Sequence, residues 1–226
     1  MLAEEAGMKV IAIVPGYNEA RNIAPVVRKV MGYVDEVLVV DDGSADDTAR
    51  VAAAAGATVL RHIVNCGKGA ALTTGCEYAI GKGADAIVAI DADGQHDPAE
   101  IPKFLKALRN SDIVFGYRKL SREMPLELRF GNWFISTATW VLFRIRIYDT
   151  LCGFRAFTAA AYKKLKWTSS DYSVESEMIA NAGKHRLKFR QVGIATIYLD
   201  RYKGKTMFDG MKIVLSMLWW KIRSIG

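Results

Sequence analysis

Short runs rich in valine and isoleucine alternate with helix-like segments through the first half of the chain, and this alternation limits the fold more than any other feature. The runs occupy residues 10–14, 37–40, 58–60, 86–90 and 113–115. Helical patterns fall between them, at about residues 22–31, 46–55, 69–80 and 98–108. Apolar runs of this length, each followed by a helix, are typical of βα units, whose strands lie parallel. The sequence therefore predicts an α/β fold with a mostly parallel central sheet flanked by helices.

Polar motifs follow three of the predicted strands. The segment PGYNE follows the first strand, DDGS follows the second and DADGQ follows the fourth. Ligands of parallel sheets bind beyond the carboxyl ends of the strands. We therefore expect these three motifs to meet in one site.

The segment DADGQ places oxygen-bearing side chains at alternate positions, namely Asp91, Asp93 and Gln95. Neighbouring carboxylates repel each other unless a cation offsets their charge, and hard oxygen ligands suit Mg²⁺ or Mn²⁺. The alternative is a solvated acidic turn that caps the next helix through Asp97. The position of the motif directly after an apolar strand favours metal binding.

Two further motifs could contact a nucleotide. Asp42 ends the second predicted strand and could accept hydrogen bonds from a nucleobase or a ribose, although Asp, Gly and Ser are also ordinary turn residues. Lys68 lies between two glycines in NCGKGAAL. It could approach a phosphate, and a flexible start of a helix is the alternative. The segment lacks the full P-loop pattern, which disfavours an ATPase of that type.

The distribution of charge limits the classes of binding partner, and the cysteine content indicates the redox environment. Residues 1–100 contain 8 Lys or Arg against 15 Asp or Glu, whereas residues 101–226 contain 23 against 9. A basic half can attract nucleic acid, anionic lipid or a phosphorylated substrate. The three cysteines show no CxxC spacing, so we expect neither a disulfide framework nor a zinc site, and a reducing, cytoplasmic environment.

Eight short motifs occur in a fixed order: VPGYNE, VVDDGS, NCGKGAAL, DADGQHDP, FGYR, DTLCGFRAF, ESEM and DRYKGK. This ordered set resembles the family 2 glycosyltransferases of the GT-A fold, and within them the polyprenyl-phosphate glycosyltransferases of the dolichol-phosphate mannose synthase group. The resemblance covers about residues 9–206. It implies a single GT-A domain over residues 1–226, in which about 1–117 bind the nucleotide sugar and about 118–226 form the acceptor half.

The resemblance also assigns roles to individual residues. The residues implied to bind the nucleotide sugar are Pro15, Tyr17, Glu19, Val40, Asp42, Lys68, Asp91, Ala92, Asp93 and Arg201. The implied metal ligands, for Mg²⁺ or Mn²⁺, are Asp91, Asp93 and Gln95. The implied acceptor-phosphate residues are Arg118, Arg129 and Ser136. The residues implied to take part in catalysis are Asp93, Arg118 and Glu177.

The implied reaction is transfer of a sugar from a nucleotide sugar to a polyprenyl or dolichyl phosphate, with inversion at the anomeric carbon. The motifs NCGKGAAL and DADGQHDP look closer to those of relatives that use UDP-glucose or UDP-N-acetylhexosamine than to those of GDP-mannose enzymes, and this resemblance implies a UDP-sugar donor. The sequence departs from the mannose synthases at Met207, where a lysine is expected. An anionic phosphate acceptor needs no strong general base, whereas a hydroxyl acceptor does.

The second half carries aromatic and basic residues together, in residues 129–147 and again in residues 207–226. Such mixtures suit the interfacial zone of a bilayer, and a lipid acceptor predicts association with the cytoplasmic face of a membrane. The alternative is that these segments are core helices, or that they contact a second copy of the chain or a membrane partner subunit.

Three other functions compete with this one. A family 2 enzyme acting on a saccharide or protein hydroxyl would use Asp171, Glu175 or Glu177 as a base. A nucleotidyltransferase is disfavoured, because PGYNE replaces the glycine-rich basic loop expected after the first strand. A non-enzymatic receiver-like or nucleic-acid-binding module does not account for the aromatic second half, so we expect no nucleic-acid partner.

Overall fold

The computed structural model describes residues 7–118 and 126–195, and it leaves the side chains of residues 126–132 undescribed. The strands of this part are β1 (Val10–Gly16), β2 (Glu36–Asp41), β3 (Thr58–Arg61), β4 (Ala86–Ala89), β5 (Ile113–Arg118), β6 (Arg155–Thr158) and β7 (Phe189–Ile194). They form one sheet in the order β3-β2-β1-β4-β6-β5-β7. The strands β1 to β4 pair in parallel, and β7 is parallel to β5. The strand β6 is antiparallel to both of its neighbours, β4 and β5.

Helices connect and cover these strands. They are α1 (Ile23–Val30), α2 (Thr48–Ala54), α3 (Lys68–Gly81), α4 (Ile101–Leu108), α5 (Leu126–Phe143), α6 (Ala159–Leu165) and α7 (Val174–Lys184). A single 3₁₀ turn, Pro98–Glu100, precedes α4, and Asp97 caps it by accepting a hydrogen bond from the N–H of Ala99. The predicted α/β fold with a mostly parallel sheet flanked by helices is confirmed.

The helices pack through apolar stripes. In α1 the buried residues are Ile23, Val26, Val27 and Val30, and in α4 they are Ile101, Phe104, Leu105 and Leu108. Both sets follow the i, i+3, i+4, i+7 spacing of a helix with one face on the core. The sheet is buried on both sides, because alternate residues of β1 belong to two separate apolar clusters. Burial on both faces explains why β1, β2 and β4 read as continuous apolar runs.

The helix α5 presents an apolar surface outwards. Trp133, Phe134, Trp140 and Val141 expose about half or more of their surface, while Ile135 and Thr139 of the same helix are buried. Within the described residues, no helix combines the length and apolar character that crossing a bilayer requires.

Candidate active site

Three loops meet beyond the carboxyl ends of β1, β2 and β4. Gly16 lies close to the other two loops, because a Cβ at this position would be in van der Waals contact with both, 3.4 Å from Thr48 Cγ2 and 3.8 Å from Ala92 Cβ. The N–H of Asn18 donates a hydrogen bond of 2.9 Å to Ser44 Oγ. Asn18 has a φ of 56°, a left-handed conformation in which asparagine is enriched. The motifs PGYNE, DDGS and DADGQ therefore lie together, as expected.

The predicted donor-binding residues of the first two strands lie side by side. Pro15 of β1 is in register with Val40 of β2, and Val40 is buried. Tyr17 follows at the edge of the site and is 47% exposed, so its ring is accessible for stacking. Glu19 accepts a hydrogen bond of 2.7 Å from Asn22 Nδ2.

Asp42 holds the loop that precedes α3. Its carboxylate accepts hydrogen bonds from His62 Nδ1 at 2.7 Å, from the N–H of Cys66 at 2.9 Å and from the N–H of Gly67 at 2.7 Å. Because Asp42 is buried, these donors satisfy a carboxylate that would be costly to bury alone. His62 was not predicted as part of the site, because its hydrogen bond with Asp42 joins two residues that are twenty positions apart in the sequence.

The glycines of NCGKGAAL accommodate a neighbouring segment. A Cβ on Gly67 would lie 2.3 Å from the carbonyl oxygen of Ser170, and one on Gly69 would lie 2.0 Å from that of Ser169. The N–H of Gly69 donates to Ser170 O at 2.6 Å. An N–H at the start of α3 therefore already donates to a carbonyl of the 167–171 loop and is not available to a phosphate. This contact favours the interpretation of the motif as the start of a helix over that of a phosphate loop.

Lys68 lies between two carboxylates at the centre of the site. Its Nζ is 2.5 Å from Asp91 Oδ1 and 2.7 Å from Glu175 Oε1. Burial disfavours the charged ammonium, but the two carboxylates outweigh burial and raise the pKa of Lys68. Glu175 lies in the first turn of α7, and its carbonyl accepts a hydrogen bond of 2.6 Å from the buried Arg155. Glu175 was predicted only as an alternative base, and neither its pairing with Lys68 nor the role of Arg155 was predicted.

The Asp91 and Asp93 motif has the properties of a cation site. Burial and the neighbouring charge of Asp91 raise the pKa of Asp93, and Asp93 Oδ1 accepts the N–H of Gln95 at 3.0 Å. Gly153 forms a cradle for Asp91, because a Cβ at Gly153 would lie 2.4 Å from Asp91 Oδ2. Two carboxylates that interact electrostatically, as Asp91 and Asp93 do, form a hard oxygen donor set. These residues therefore fit Mg²⁺ or Mn²⁺.

A buried histidine lies behind this motif. His96 Nδ1 is 3.9 Å from Asp91 Oδ2 and has no hydrogen-bond partner among the described residues. Its ring packs on Phe154, with 5.6 Å between the ring centroids. Burial lowers the pKa of His96, which favours a neutral imidazole.

Arg118, predicted to bind the acceptor phosphate, is held by Asp149. Its Nε and Nη2 donate to the two carboxylate oxygens of Asp149 at 2.6 and 3.0 Å. Asp149 is almost fully buried and the side chain of Arg118 is 14% exposed. This bidentate pair fixes the orientation of the guanidinium.

Glu177, predicted to take part in catalysis, holds the 167–171 loop. One carboxylate oxygen accepts the N–H and the hydroxyl of Thr168, and the other accepts the N–H and the hydroxyl of Ser169, at 2.5 to 3.1 Å. The same loop covers the start of α3, so Glu177 supports the position of Lys68 indirectly.

The remaining predicted residues lie farther along the chain. Ser136 is in α5, and its hydroxyl is buried without a hydrogen-bond partner in the described part. The side chain of Arg129 and all of Arg201 lie outside the described residues. Their roles stay predictions.

Comparison with known proteins places this site in a family. The family model described as Glycosyl transferase family 2 matches residues 11–166. The chain is 31% identical to the UDP-N-acetylglucosamine–dolichyl-phosphate N-acetylglucosaminyltransferase of Methanococcus voltae, with 94% of this chain and 96% of that protein covered. It is 28% identical to the undecaprenyl-phosphate mannosyltransferase of Micrococcus luteus, with 90% and 88% covered.

A solved structure has the same fold. It is glucosyl-3-phosphoglycerate synthase from Mycobacterium tuberculosis in complex with Mg²⁺ and uridine diphosphate, and it aligns with a TM-score of 0.75 at 23% identity. The alignment covers 98% of this chain and 83% of that one. With its three converging loops, its paired carboxylates and a family match over most of its length, the chain belongs to glycosyl transferase family 2.

Proposed function

We propose that this enzyme transfers a sugar from a UDP-sugar to a polyprenyl phosphate, with inversion at the anomeric carbon and with Mg²⁺ or Mn²⁺ as cofactor. The names of two relatives with similar lengths support a polyprenyl-phosphate acceptor. The Methanococcus voltae relative uses UDP-N-acetylglucosamine by its name, which supports a UDP-sugar donor.

One observation carries the choice of acceptor: the carboxylates that a hydroxyl acceptor would require as a base already have partners. Glu177 accepts four hydrogen bonds from its loop. Glu175 is paired with Lys68, and Asp171 accepts the N–H and the hydroxyl of Ser173. A lipid phosphate is already an anion at neutral pH and needs no such base. These contacts therefore favour a phosphate acceptor over a saccharide or protein hydroxyl.

The donor occupies the three-loop site in this proposal. Tyr17 and Asp42 face the nucleoside, and Asp91, Asp93 and Gln95 hold the divalent cation. That cation, when bound, offsets the negative charge that develops on the diphosphate. Without such a cation, the carboxylates of Asp91 and Asp93 would repel the diphosphate.

The transfer itself is a single displacement. An oxygen of the lipid phosphate forms a bond to the sugar C1 while the bond from C1 to the diphosphate breaks, and UDP leaves with the electron pair. Arg118, fixed by Asp149, offers the positive charge that orients the acceptor phosphate. No proton transfer is required, because the attacking oxygen carries none.

The acceptor's hydrocarbon chain requires a membrane surface. The exposed Trp133 and Trp140 of α5 are the aromatic type found at the headgroup depth of bilayers. We propose that the enzyme associates peripherally with the cytoplasmic face of the membrane.

The test is glycolipid synthesis with defined components. The purified protein is incubated with Mn²⁺ or Mg²⁺, a short polyprenyl phosphate, and UDP-glucose, UDP-N-acetylglucosamine or GDP-mannose in turn. A labelled glycolipid is expected with a UDP-sugar, and it should disappear with Asp91→Asn and Asp93→Asn but persist with Glu77→Gln, a partly exposed carboxylate on α3. Transfer to a soluble sugar in place of the lipid would contradict the proposal and support the hydroxyl-acceptor function.

A further inference from the structure

We propose that Lys68 is an internal counter-ion, which leaves Asp91 for Glu175 when a divalent cation binds. Lys68 and Glu175 together would then set the affinity of the site for metal. This inference rests on the proposed function, since it takes Asp91 to be a metal ligand.

The contacts of Lys68 supply both positions of this exchange. Its ammonium already bonds to both carboxylates, at 2.5 Å to Asp91 and 2.7 Å to Glu175. Leaving Asp91 therefore requires only a small movement towards a partner that is already in contact. The ring of Tyr172, whose centroid is 5.8 Å from Nζ, offers a second attractive surface on that side.

Electrostatic repulsion between the two cations favours the exchange. A carboxylate oxygen that binds a divalent cation cannot keep an ammonium at hydrogen-bond distance without strong repulsion between the two cations, which is severe at low solvent exposure. The side chain of Lys68 is only 13% exposed, so solvent does not screen this repulsion. A buried lysine driven off Asp91 without another carboxylate would carry an uncompensated charge. Glu175, whose side chain is 3% exposed, removes that penalty.

The backbone around both residues is fixed, so the movement is confined to the lysine side chain. Gly67 and Gly69, on either side of Lys68, pack directly against the carbonyls of the 167–171 loop. Glu175 is anchored from behind, because Arg155 donates to its carbonyl and to the carbonyl of Thr150. The lysine is therefore a movable charge between fixed partners.

The test measures Mn²⁺ affinity by electron paramagnetic resonance of the free ion, in the presence of UDP and without any acceptor. Lys68→Met removes the competing cation and should tighten Mn²⁺ binding by at least about tenfold. Lys68→Arg keeps the charge and should not tighten it. Lys103→Met, a control at an exposed lysine of α4, should bind Mn²⁺ like the wild type.

Glu175→Gln separates the exchange from a simple effect of charge. If Glu175 acts by receiving Lys68, this substitution weakens Mn²⁺ binding in the wild type but has little effect in the Lys68→Met background, and the two effects are not additive. An equal weakening in both backgrounds, or a Lys68→Met variant with wild-type affinity, would overturn the exchange. Each variant is first checked for a cooperative thermal transition. If Glu175→Gln does not fold, Glu175→Asp replaces it, because it keeps the charge but draws the carboxylate back from Lys68, and it should likewise weaken Mn²⁺ binding only when Lys68 is present.

The same Mn²⁺-binding data distinguish a failure of the lysine exchange from a failure of the proposed metal-dependent function. Mn²⁺ binding that is lost in Asp91→Asn but identical in wild type and Lys68→Met overturns only the exchange. No Mn²⁺ binding by the wild type would overturn the metal assignment together with the exchange.

Discussion

Gly153 lies directly against the carboxylate of Asp91. A side chain on Gly153 would bring its Cβ within 2.4 Å of Oδ2 and 2.7 Å of Oδ1, distances that no Cβ adopts without displacement of its neighbour. The turn before β6 thus determines where the first carboxylate of the DADGQ motif can lie.

Gly153→Ala should therefore displace Asp91 and impair the metal site. We expect Mn²⁺ affinity and glycolipid synthesis to fall by about a hundredfold, since a displacement of about 1 Å in a catalytic group has that effect. Far-UV circular dichroism should stay unchanged. Gly81→Ala is the matched control, because a Cβ at that helical position meets nothing within 4 Å. Full activity in Gly153→Ala would show that Asp91 tolerates another position.

Asp93→Asn should stabilise the metal-free protein while it abolishes activity. Burial and Asp91 raise the pKa of Asp93 above its ordinary value of 3.8, so the folded state binds this proton more tightly than the unfolded state. The contribution of Asp93 to the free energy of unfolding is therefore lost as the pH rises from 3.8 through the raised pKa. In EDTA at pH 7 we expect Tm to rise by about 2 °C or more in Asp93→Asn. A gain that is the same at pH 4 and pH 7 would contradict this cause.

Glu177→Gln should act through the 167–171 loop. The loss of charge-assisted hydrogen bonds to Thr168 and Ser169 should lower the free energy of unfolding by about 1–3 kcal/mol, with a moderate loss of activity. Ser169→Ala should also lower the free energy of unfolding and the activity, but by less than Glu177→Gln does. A general base would behave differently: the rate would fall by about a hundredfold or more while the unfolding midpoint in urea stayed constant.

The ion pair between Arg118 and Asp149 should be important for stability. Removal of one partner of a buried pair costs about 3–5 kcal/mol, so Asp149→Ala should lower the urea midpoint strongly. The exposed pair between Arg50 and Asp47 is the comparison, and Asp47→Ala should leave the midpoint almost unchanged. Similar midpoints for the two variants would mean that the Arg118 pair is solvated.

The three thiols should differ in reactivity. Cys66 is exposed, whereas Cys76 and Cys152 are buried, and burial raises the pKa of Cys152 to about 12. One thiol should therefore react quickly with a thiol reagent at pH 8 in the native protein, and all three should react in urea. Because the N–H of Cys66 bonds to Asp42, UDP should slow the fast reaction. Three equally fast thiols in the native protein would contradict the buried positions.

The local pattern of apolar residues in the sequence was sufficient to predict much of the fold. The five predicted strands all occur: β1, β2, β4 and β5 are apolar runs buried within the sheet, whereas β3, at one end of the strand order, is only partly buried. The strand β7 was not predicted because Arg190 and Gln191 interrupt its apolar pattern, and β6 was not predicted because it begins with the polar Arg155. Its guanidinium is buried and bonds to the carbonyls of Cys152, Thr150 and Glu175, contacts that no hydrophobic pattern reveals.

The site likewise contains residues whose positions could be predicted from the sequence and residues whose positions could not. Asp91 and Asp93 follow a strand directly, so their position could be predicted from the rule that ligands bind at strand ends. The partners of Lys68 could not, because Glu175 is more than a hundred residues away in the sequence. The glycines around Lys68 resembled a phosphate loop, and only the fold shows that they accommodate Ser169 and Ser170.

The position of β6 also constrains the order in which the chain can fold. The strands β4 and β5 are consecutive in sequence, yet each pairs with β6 and not with the other. During synthesis, β1 to β4 can assemble as soon as they emerge, but β5 cannot join them until residues 155–158 have been made. A ribosome-bound chain that ends at residue 118 would thus keep one edge of β4 open, and the sheet becomes continuous only when a strand from the second half is inserted at its middle.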